Sequence, residues 1–457
     1  MDSLDARLKP ALDSRKARGI LRRVPPSSEL IGKSKQVDFS SNDYLSLSTS
    51  PQLKQAFIEK IQSFPHILGS GGSRLLDGGT LEHALLEERI AAFFGSPAAL
   101  LYTSGFDANV GFFASVPSEG DVLIYDSLIH ASVHDGMRTS RATRLPGSLL
   151  PFDHNSISSL RSIIKSALQT RPHLARGDGS VFVAIESLYS MDGDIAPMEE
   201  ICEVVEGLLP HKNGHIIVDE AHATGVYGPN GRGLVAHLGL ENRIMARLHT
   251  FSKALASNGG MLSLPSEYTL IHSDNLLSTA VLLTSEVVRE YLINFSRPQI
   301  FTASMSFGNI ASLQVVFDVL EGNEYAPVWS KRRTFLNLTD APGYLQLSER
   351  LRELSLFFME QLASHRFPSD MVRLPWNETP SFTPIIPLLS PFARPLSLYL
   401  QEQGFQVRPV TYPVVPKGQD RLRISLHVNN TKDQISALLG GIQTWIRRHN
   451  AHIANRL

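Results

Sequence analysis

The sequence contains one cysteine, Cys202, in 457 residues. A single thiol cannot form an internal disulfide or a cysteine-based zinc site, and such scarcity is typical of proteins in a reducing compartment. No apolar run approaches the roughly 20 residues that a membrane helix needs. Residues 1–5 also lack the basic and apolar regions of a signal peptide. We therefore expect a cytoplasmic protein with no membrane segment and no metal site.

An excess of charge of either sign is also missing. The chain has 43 lysines and arginines against 44 aspartates and glutamates, so nucleic acid is not an expected partner. With 42% hydrophobic residues the chain is apolar enough for two globular domains. The C-terminal residues Asn455, Arg456 and Leu457 loosely resemble the peroxisomal Ser-Lys-Leu address, which makes a peroxisomal location a second expectation.

A phosphate-binding P-loop is missing as well. Residues 32–34 have the Gly-Lys-Ser end of that motif, but Ser27 stands where its first glycine is required. This matters because residues 219–222 spell Asp-Glu-Ala-His, a box also found in nucleic-acid helicases, which hold magnesium beside a P-loop. Without a P-loop and without basic charge, the helicase interpretation is set aside.

What the chain does contain is an alternation of apolar runs with helix-like segments such as residues 81–94. The apolar runs are residues 98–102, 121–126, 181–186 and 215–218. Polar residues follow each run, and this pattern is typical of an α/β fold with a mostly parallel sheet whose ligands bind at the carboxyl ends of the strands.

The pattern changes towards both ends of the chain. Leu4, Leu8 and Leu12 recur at helical spacing and predict an N-terminal arm, residues 1–45. From about Asp318 a helical stretch leads into proline-rich, strand-like segments, which predict a smaller α+β domain over residues 319–457. Residues 46–318 would then form the large sheet domain.

Four features have the chemistry of a pyridoxal phosphate site. A lysine, Lys253, is able to form a Schiff base, and a carboxylate, Asp219, would keep a pyridine nitrogen protonated. His130 follows an apolar run and would stack on the ring, and the Ser-Gly turn at Gly105 opens a helix that would bind the phosphate. Each also has a simpler explanation: a solvated lysine, a helix-capping aspartate, a turn histidine and a capped helix.

Taken together, the motifs resemble the α-oxoamine synthases, and the similarity covers nearly the whole chain. The matching segments are residues 39–45, 69–74, 186–194, 219–225, 250–253 and 423–427. The resemblance implies the fold-type I aminotransferase arrangement, pyridoxal 5′-phosphate as cofactor and a homodimer with sites at the subunit interface. The implied reaction condenses an amino acid, alanine first, with an acyl-CoA such as pimeloyl-CoA, as in biotin biosynthesis. Glycine or serine with acetyl-, succinyl- or fatty acyl-CoA, and a secondary-metabolite condensation, stay open.

The same resemblance implies a role for individual residues. Lys253 would hold the cofactor, Asp219 would pair with its ring nitrogen and His130 would stack on the ring. The phenolic oxygen would contact His222 and Ser190. Residues implied for the phosphate are Gly105, Phe106, Thr250, Ser252 and, from the other subunit, Thr302; those implied for substrate are Arg22, Asn42 and Arg423.

The chain departs from the family pattern in several places. Residues 261–280 and 329–345 exceed it, as insertions or as unspliced sequence. Thr302-Ala303 and Ser306-Phe307 replace the usual Ser-Thr and Pro-Pro, and Val414 stands where a threonine is common. A catalytically silent partner subunit is a further alternative, but such a subunit is expected to have lost the lysine, and Lys253 is present.

Overall fold

The computed structural model describes residues 3–18, 20–21, 36–66, 68–257, 279–322, 343–376, 380 and 382–454. Arg22, the C-terminal tripeptide and most of the two extra segments lie outside these ranges. The described residues divide into two compact units, of which the first ends at Gln36 and the second begins at Val37. The first unit contains helix α1 (Ser3–Ala17), which lies in the predicted arm.

A seven-stranded sheet forms the larger part of the second unit. Its strands are β2 (Ala98–Tyr102), β3 (Val122–Asp126), β4 (Leu149–Phe152), β5 (Val181–Glu186), β6 (Gly214–Asp219), β7 (Ala246–Thr250) and β8 (Ala280–Thr284). The strand order is β2-β8-β7-β6-β5-β3-β4. Strand β8 pairs antiparallel with both neighbours, whereas the pairs from β7 to β4 are parallel. The expected mostly parallel α/β sheet is confirmed.

Helices cover both faces of this sheet. They are α2 (Pro51–Gln62), α3 (Leu81–Phe94), α4 (Gly105–Ser115), α5 (Ala131–Arg138), α6 (Ile157–Thr170), α7 (Pro172–Ala175), α8 (Met198–Leu208), α9 (Leu234–His237), α10 (Glu286–Phe295), α11 (Arg297–Phe301) and α12 (Phe307–Glu321). Successive residues of a strand point to opposite faces, so Val183 and Ile185 join one core cluster while Phe182 and Ala184 join the other. Burial on both faces explains why the strands are continuous apolar runs.

The C-terminal part contains a smaller antiparallel sheet with strand order β11-β12-β9. Its strands are β9 (Ile385–Leu389), β11 (Arg408–Val410) and β12 (Arg421–Ser425), and helices α13 (Tyr344–His365), α14 (Ala393–Glu402) and α15 (Lys432–Ala454) accompany them. A short parallel pair joins β1 (Val37–Asp38) to β10 (Phe405–Gln406). Hydrogen bonds therefore tie the start of the second unit to its C-terminal third.

The predicted domain boundary at residue 318 falls in the last turn of α12, and the three-domain division stays a prediction. The last residue of the extra segment 261–280, Ala280, is the first residue of β8 and pairs with Thr250. In the extra segment 329–345, Tyr344 begins α13. Among the described residues, no helix combines the length and the apolarity needed to cross a membrane.

Candidate active site

Four neighbouring parallel strands, β3, β5, β6 and β7, end in Asp126, Glu186, Asp219 and Thr250. Parallel strands share one carboxyl edge, so these polar residues lie side by side at the end of an apolar sheet. Lys253 follows Thr250 by three residues, and its Nζ lies 3.2 Å from Thr250 Oγ1. The lysine and aspartate segments therefore follow two adjacent strands, β7 and β6.

The charge state of Lys253 is set by its surroundings. Burial lowers the pKa of its amine, against the opposing charges of Asp219 and Glu186, and the nearby Arg423 lowers it further. Since the net direction is downward, the amine loses its proton more readily than a solvated lysine. The alternative of a solvated lysine does not fit this environment.

Asp219 is connected to His130 by a chain of hydrogen bonds. Asn109 Nδ2 donates to Asp219 Oδ2 at 2.9 Å and also lies 2.9 Å from Ser132 Oγ. Ser132 Oγ in turn lies 2.7 Å from His130 Nδ1. Burial lowers the pKa of His130, while the charge of Asp219 raises it and that of Lys253 lowers it. The ring is therefore predominantly neutral and held in one orientation.

Sequence reasoning missed Asn109, although a signal was present. It is a polar residue in the mostly apolar helix α4, and it is only 3% exposed. A buried amide needs hydrogen-bond partners, and here it finds Ser132 and Asp219. The capping alternative for Asp219 also holds in part, because its Oδ1 accepts a hydrogen bond from the N–H of Ala221 at 2.9 Å.

A second group of side chains meets above the end of β6. His222 Nδ1 lies 2.7 Å from the hydroxyl of Tyr44, which is 3.2 Å from Asn42 Oδ1. Arg423 Nη2 donates to the same hydroxyl at 3.2 Å. Burial, with the charges of Lys253 and Arg423, holds the pKa of His222 well below its ordinary value. Tyr44 lies within a matching segment, but sequence reasoning gave it no role because its partners His222 and Arg423 lie far away in sequence.

Arg423 keeps part of its hydrogen-bonding capacity for a ligand. Its Nε donates to the carbonyl of Ser190 at 2.6 Å, and its Nη1 donates to Ser425 Oγ at 2.8 Å. With the bond to Tyr44, three of the five N–H groups of the guanidinium are used by residues that the structure describes. Two N–H groups remain, the number that a carboxylate binds in a bidentate pair.

The residues expected to bind phosphate lie around the start of α4. Ser104 caps this helix by accepting a hydrogen bond from the N–H of Asp107 at 2.9 Å. A Cβ on Gly105 would lie 2.5 Å from Thr250 Cγ2, so only glycine allows this approach of α4 to the end of β7. Phe106 is exposed in the first turn, and Ser252 is half-buried two residues beyond Thr250. Thr302 lines a small cavity together with Thr103.

Glu186 is a further residue that sequence reasoning missed. Ala184 and Ile217, two residues before Glu186 and Asp219, belong to the same core, so both carboxylates are on one face of the sheet. Glu186 Oε2 accepts a hydrogen bond from the N–H of Ser190 at 3.2 Å, and its Oε1 is buried without a partner among the described residues. Burial, and then the charge of Asp219, raise its pKa well above the ordinary value.

Comparison with known proteins places this arrangement in a family. The aminotransferase class I and II model matches residues 34–442. The chain belongs to this family. Within it, the chain is 42% identical to the 8-amino-7-oxononanoate synthase of Emericella nidulans over 91% of the chain and 90% of that protein. The predicted membership of the α-oxoamine synthases, which are pyridoxal phosphate-dependent acyltransferases, is confirmed.

Two other relatives extend the comparison. The chain is 34% identical to an aminoacyl transferase, sphA, of Byssochlamys spectabilis, over 90% of the chain and 81% of that protein. A crystal structure of 8-amino-7-oxononanoate synthase from Francisella tularensis superposes with a TM-score of 0.65 at 26% identity. That match covers 91% of this chain and 99% of the other.

The side chains present fit the family's cofactor. Among the described residues, the half-buried Lys253 donates a hydrogen bond from Nζ to Thr250 Oγ1, and this single contact leaves the amine able to form a Schiff base. Each oxygen of Asp219 accepts one hydrogen bond and keeps a lone pair for a protonated ring nitrogen. Gly105 brings the N-terminal end of α4 next to the end of β7, and a helix N-terminus favours a phosphate.

Proposed function

We propose that this protein condenses L-alanine with pimeloyl-CoA to give 8-amino-7-oxononanoate, CoA and carbon dioxide, a step of biotin biosynthesis. The main observation is that Arg423 lies close enough to Lys253 to lower the pKa of its amine, beside Asp219. The described residues use three of the five N–H groups of this guanidinium and leave two for a ligand. The choice of alanine and pimeloyl-CoA follows the name of the relative from Emericella nidulans.

The cofactor would be held by residues from several elements. Pyridoxal phosphate, when bound, supplies a ring that stabilises negative charge on the α-carbon of an amino acid. Lys253 would hold it covalently, Asp219 would face the ring nitrogen and His130 would stack on the ring. His222 and Ser190 would contact the phenolic oxygen. The phosphate ligands would be Gly105, Phe106, Thr250 and Ser252, with Thr302 supplied by the second subunit.

Lys253 would also move the proton that the condensation requires. Once released, Nζ would take the proton from the α-carbon of the substrate as a general base, since its lowered pKa makes the unprotonated amine more available than in a solvated lysine. Thr250 Oγ1, at 3.2 Å, limits the directions in which Nζ can point. After carbon dioxide has left, the same amine returns a proton to the product.

Arg423 would bind the carboxylate of the amino acid with the two N–H groups that have no partner in the described part of the chain. Asn42 lies next to Tyr44, which contacts Arg423, and would hold another part of the substrate. Arg22, for which the resemblance implies a substrate contact, lies outside the described residues. With its carboxylate on Arg423, the amino acid would have its α-carbon between Arg423 and Lys253.

We further propose that the active unit is a homodimer. Several large apolar side chains are exposed around residues 68–85 and 301: Leu68 (75% exposed), Leu76 (78%), Leu81 (68%) and Phe301 (69%). The N–H of Phe307 donates to the carbonyl of Leu68, which brings these segments together next to Thr302. Exposed apolar surface of this kind marks protein interfaces. Light scattering after gel filtration tests the dimer.

The function is tested by the absorbance spectrum of purified protein loaded with pyridoxal phosphate. We expect a visible Schiff-base band that is absent in Lys253→Ala, perturbed by L-alanine, and followed by release of CoA when pimeloyl-CoA is added. A preference for glycine or serine would retain the family chemistry but refute the named reaction. Absence of a band in folded protein would refute the assigned role of Lys253.

One observation favours a second candidate, a secondary-metabolite condensation like that suggested by the name of the sphA relative. Val414, at a position where the family resemblance implies a substrate-contacting threonine, is 52% exposed. An apolar side chain there suits a longer or less polar acyl chain than pimeloyl. Comparing CoA release from pimeloyl-CoA with that from long-chain acyl-CoA separates the two. We propose a cytoplasmic location in both cases.

A further inference from the structure

His154, which is not among the site residues above, is held between two carboxylates. Its Nδ1 lies 2.9 Å from Asp126 Oδ1, and its Nε2 lies 2.8 Å from Asp194 Oδ2. An ionised carboxylate only accepts hydrogen bonds, so both ring nitrogens carry a proton here and the ring is a cation. Burial alone would lower the pKa of His154, but the hydrogen bonds and charges of the two aspartates raise it to about 10.

One end of this contact is fixed to the large sheet. Asp126 is the last residue of β3 and is fully buried. Its Oδ1 also accepts a hydrogen bond from the N–H of Leu128 at 2.8 Å, and its Oδ2 accepts one from the N–H of Asn155 at 2.9 Å. The turn that these bonds stabilise leads directly to His130. Asp126 is therefore a rigid support for the cation.

The other end is a turn, residues 189–194, that follows β5. The N–H of Tyr189 donates to the carbonyl of Asp194 at 2.9 Å, which closes the turn. Asn155 Nδ2 donates to Asp194 Oδ2 at 2.9 Å, next to His154. The ring of Tyr189 packs edge-on against that of His154, with centroids 4.4 Å apart. Two polar contacts to Asp194 and one ring contact to Tyr189 thus connect His154 and Asn155 to the turn.

The same turn carries the groups that orient Arg423. The carbonyl of Ser190 accepts a hydrogen bond from Arg423 Nε at 2.6 Å. Asp192 forms a buried ion pair with Arg421 on the same strand, and its carbonyl accepts a hydrogen bond from Trp376 Nε1 at 2.7 Å. The small sheet therefore contacts the turn from one side, and His154 contacts it from the side of the large sheet.

We propose that His154 is a positioning residue that fixes the Ser190 carbonyl, and through it Arg423, for the carboxylate of the amino acid substrate. The His154 cation, hydrogen-bonded to Asp126 and to Asp194, holds the turn of residues 189–194 against the end of β3. Without it, two aspartates at one place repel each other and the turn moves away from Arg423. The inference rests on the proposed role of Arg423 in substrate binding.

The test compares His154→Gln and Asp194→Asn with the wild type, all loaded with cofactor. The dissociation constant of the amino acid is measured by calorimetry without acyl-CoA, using whichever of alanine, glycine and serine the wild type binds best. We expect binding about 10-fold weaker or more in both variants, since losing one hydrogen bond between Arg423 and the substrate carboxylate has an effect of about that size. The KM of the acyl thioester should change less than about 2-fold. Asp178→Asn, which breaks the exposed pair with Arg176, is the matched control and should change neither.

A purely structural role predicts a different result. Amino acid affinity, acyl thioester KM and cofactor content would then decline together, and that outcome would overturn the proposal, as would unchanged amino acid affinity. If His154→Gln does not fold, Asp194→Asn decides, because it keeps the contact of His154 with Asp126. The binding test uses the amino acid that the wild-type protein binds best. If that is serine or glycine, the biotin-pathway function is refuted, but the affinities of the variants for that amino acid still test the role of His154.

Discussion

Replacement of Glu220 by glutamine should stabilise the protein above neutral pH. Glu220 is fully buried one residue after Asp219, and its Oε1 accepts hydrogen bonds from the N–H groups of Leu234 and Val235 at 2.7 and 3.0 Å. Its Oε2 lies 3.7 Å from Nε2 of the fully buried His249. In the helicase interpretation this carboxylate would bind a metal, whereas here it anchors helix α9.

The tautomer of His249 decides which protonation state of Glu220 is favoured. Thr224 Oγ1 donates to the carbonyl of Glu220 at 2.7 Å, so it must accept from His249 Nδ1, which lies 2.8 Å away. His249 Nε2 therefore has a lone pair facing Glu220, because burial keeps the pKa of His249 well below its ordinary value. A protonated Glu220 complements that lone pair, and an ionised one opposes it. Burial accordingly raises the pKa of Glu220 to about 7 from 4.5.

The expected change in the free energy of unfolding follows from the linkage between protonation and folding. A carboxyl group whose pKa is raised on folding contributes its full stability below pH 4.5 and loses it as the pH rises to about 7. A difference of about 2.5 units at 1.36 kcal/mol each corresponds to a loss of about 3 kcal/mol by pH 8. Glutamine has the shape of the protonated acid and keeps the hydrogen bonds to α9. Glu220→Gln should therefore match the wild type near pH 4.5 and be more stable by about 3 kcal/mol at pH 8.

The assay is urea denaturation at both pH values, followed by tryptophan fluorescence. Glu87→Gln is the matched control, because Glu87 is also buried but accepts hydrogen bonds from Arg74, Arg289 and the N–H of Leu101. Removing the charge of Glu87 should destabilise the protein by about 2 kcal/mol at pH 8, a change opposite in sign to that expected for Glu220→Gln. A less stable Glu220→Gln at pH 8, or an equal change at both pH values, would refute the reasoning.

Three further predictions concern the site. Lys253→Ala should abolish product formation and the visible cofactor band while the far-ultraviolet circular dichroism spectrum stays unchanged; retained turnover would contradict its role. Gly105→Ala should weaken cofactor binding about 10-fold or more in equilibrium dialysis, because the added Cβ lies 2.5 Å from Thr250 Cγ2. Gly207→Ala, in a helix with open space, is its control and should stabilise by up to about 1 kcal/mol. Glu186→Gln should raise the midpoint of thermal unfolding of the cofactor-free protein at pH 8 and leave it unchanged near pH 4.5, since folding raises the pKa of this acid; a lower midpoint at pH 8 would show that the charged form is used.

The sequence by itself determined the local structure and the kind of chemistry. Helix α3 and strands β2 and β5 have the bounds that were predicted, because burial on one or both faces imposes a periodicity that is visible in a single segment. Asp219 and His130 could be proposed from the sequence because each follows an apolar run, where a parallel sheet places its ligand groups. Lys253 could be proposed because it comes about one strand-helix unit after Asp219.

Only the tertiary structure decided how these groups are connected. Arg423 contacts Tyr44 across a separation of 379 residues, and Asn109 contacts Asp219 across 110. Such contacts depend on strand order and on the direction of each side chain, which periodicity does not encode. His154 and Glu186 show the same limit. A histidine in a turn acquires its charge from the two carboxylates that the fold brings beside it, and the pKa of a glutamate at a strand end is raised by burial and then by the charge of Asp219.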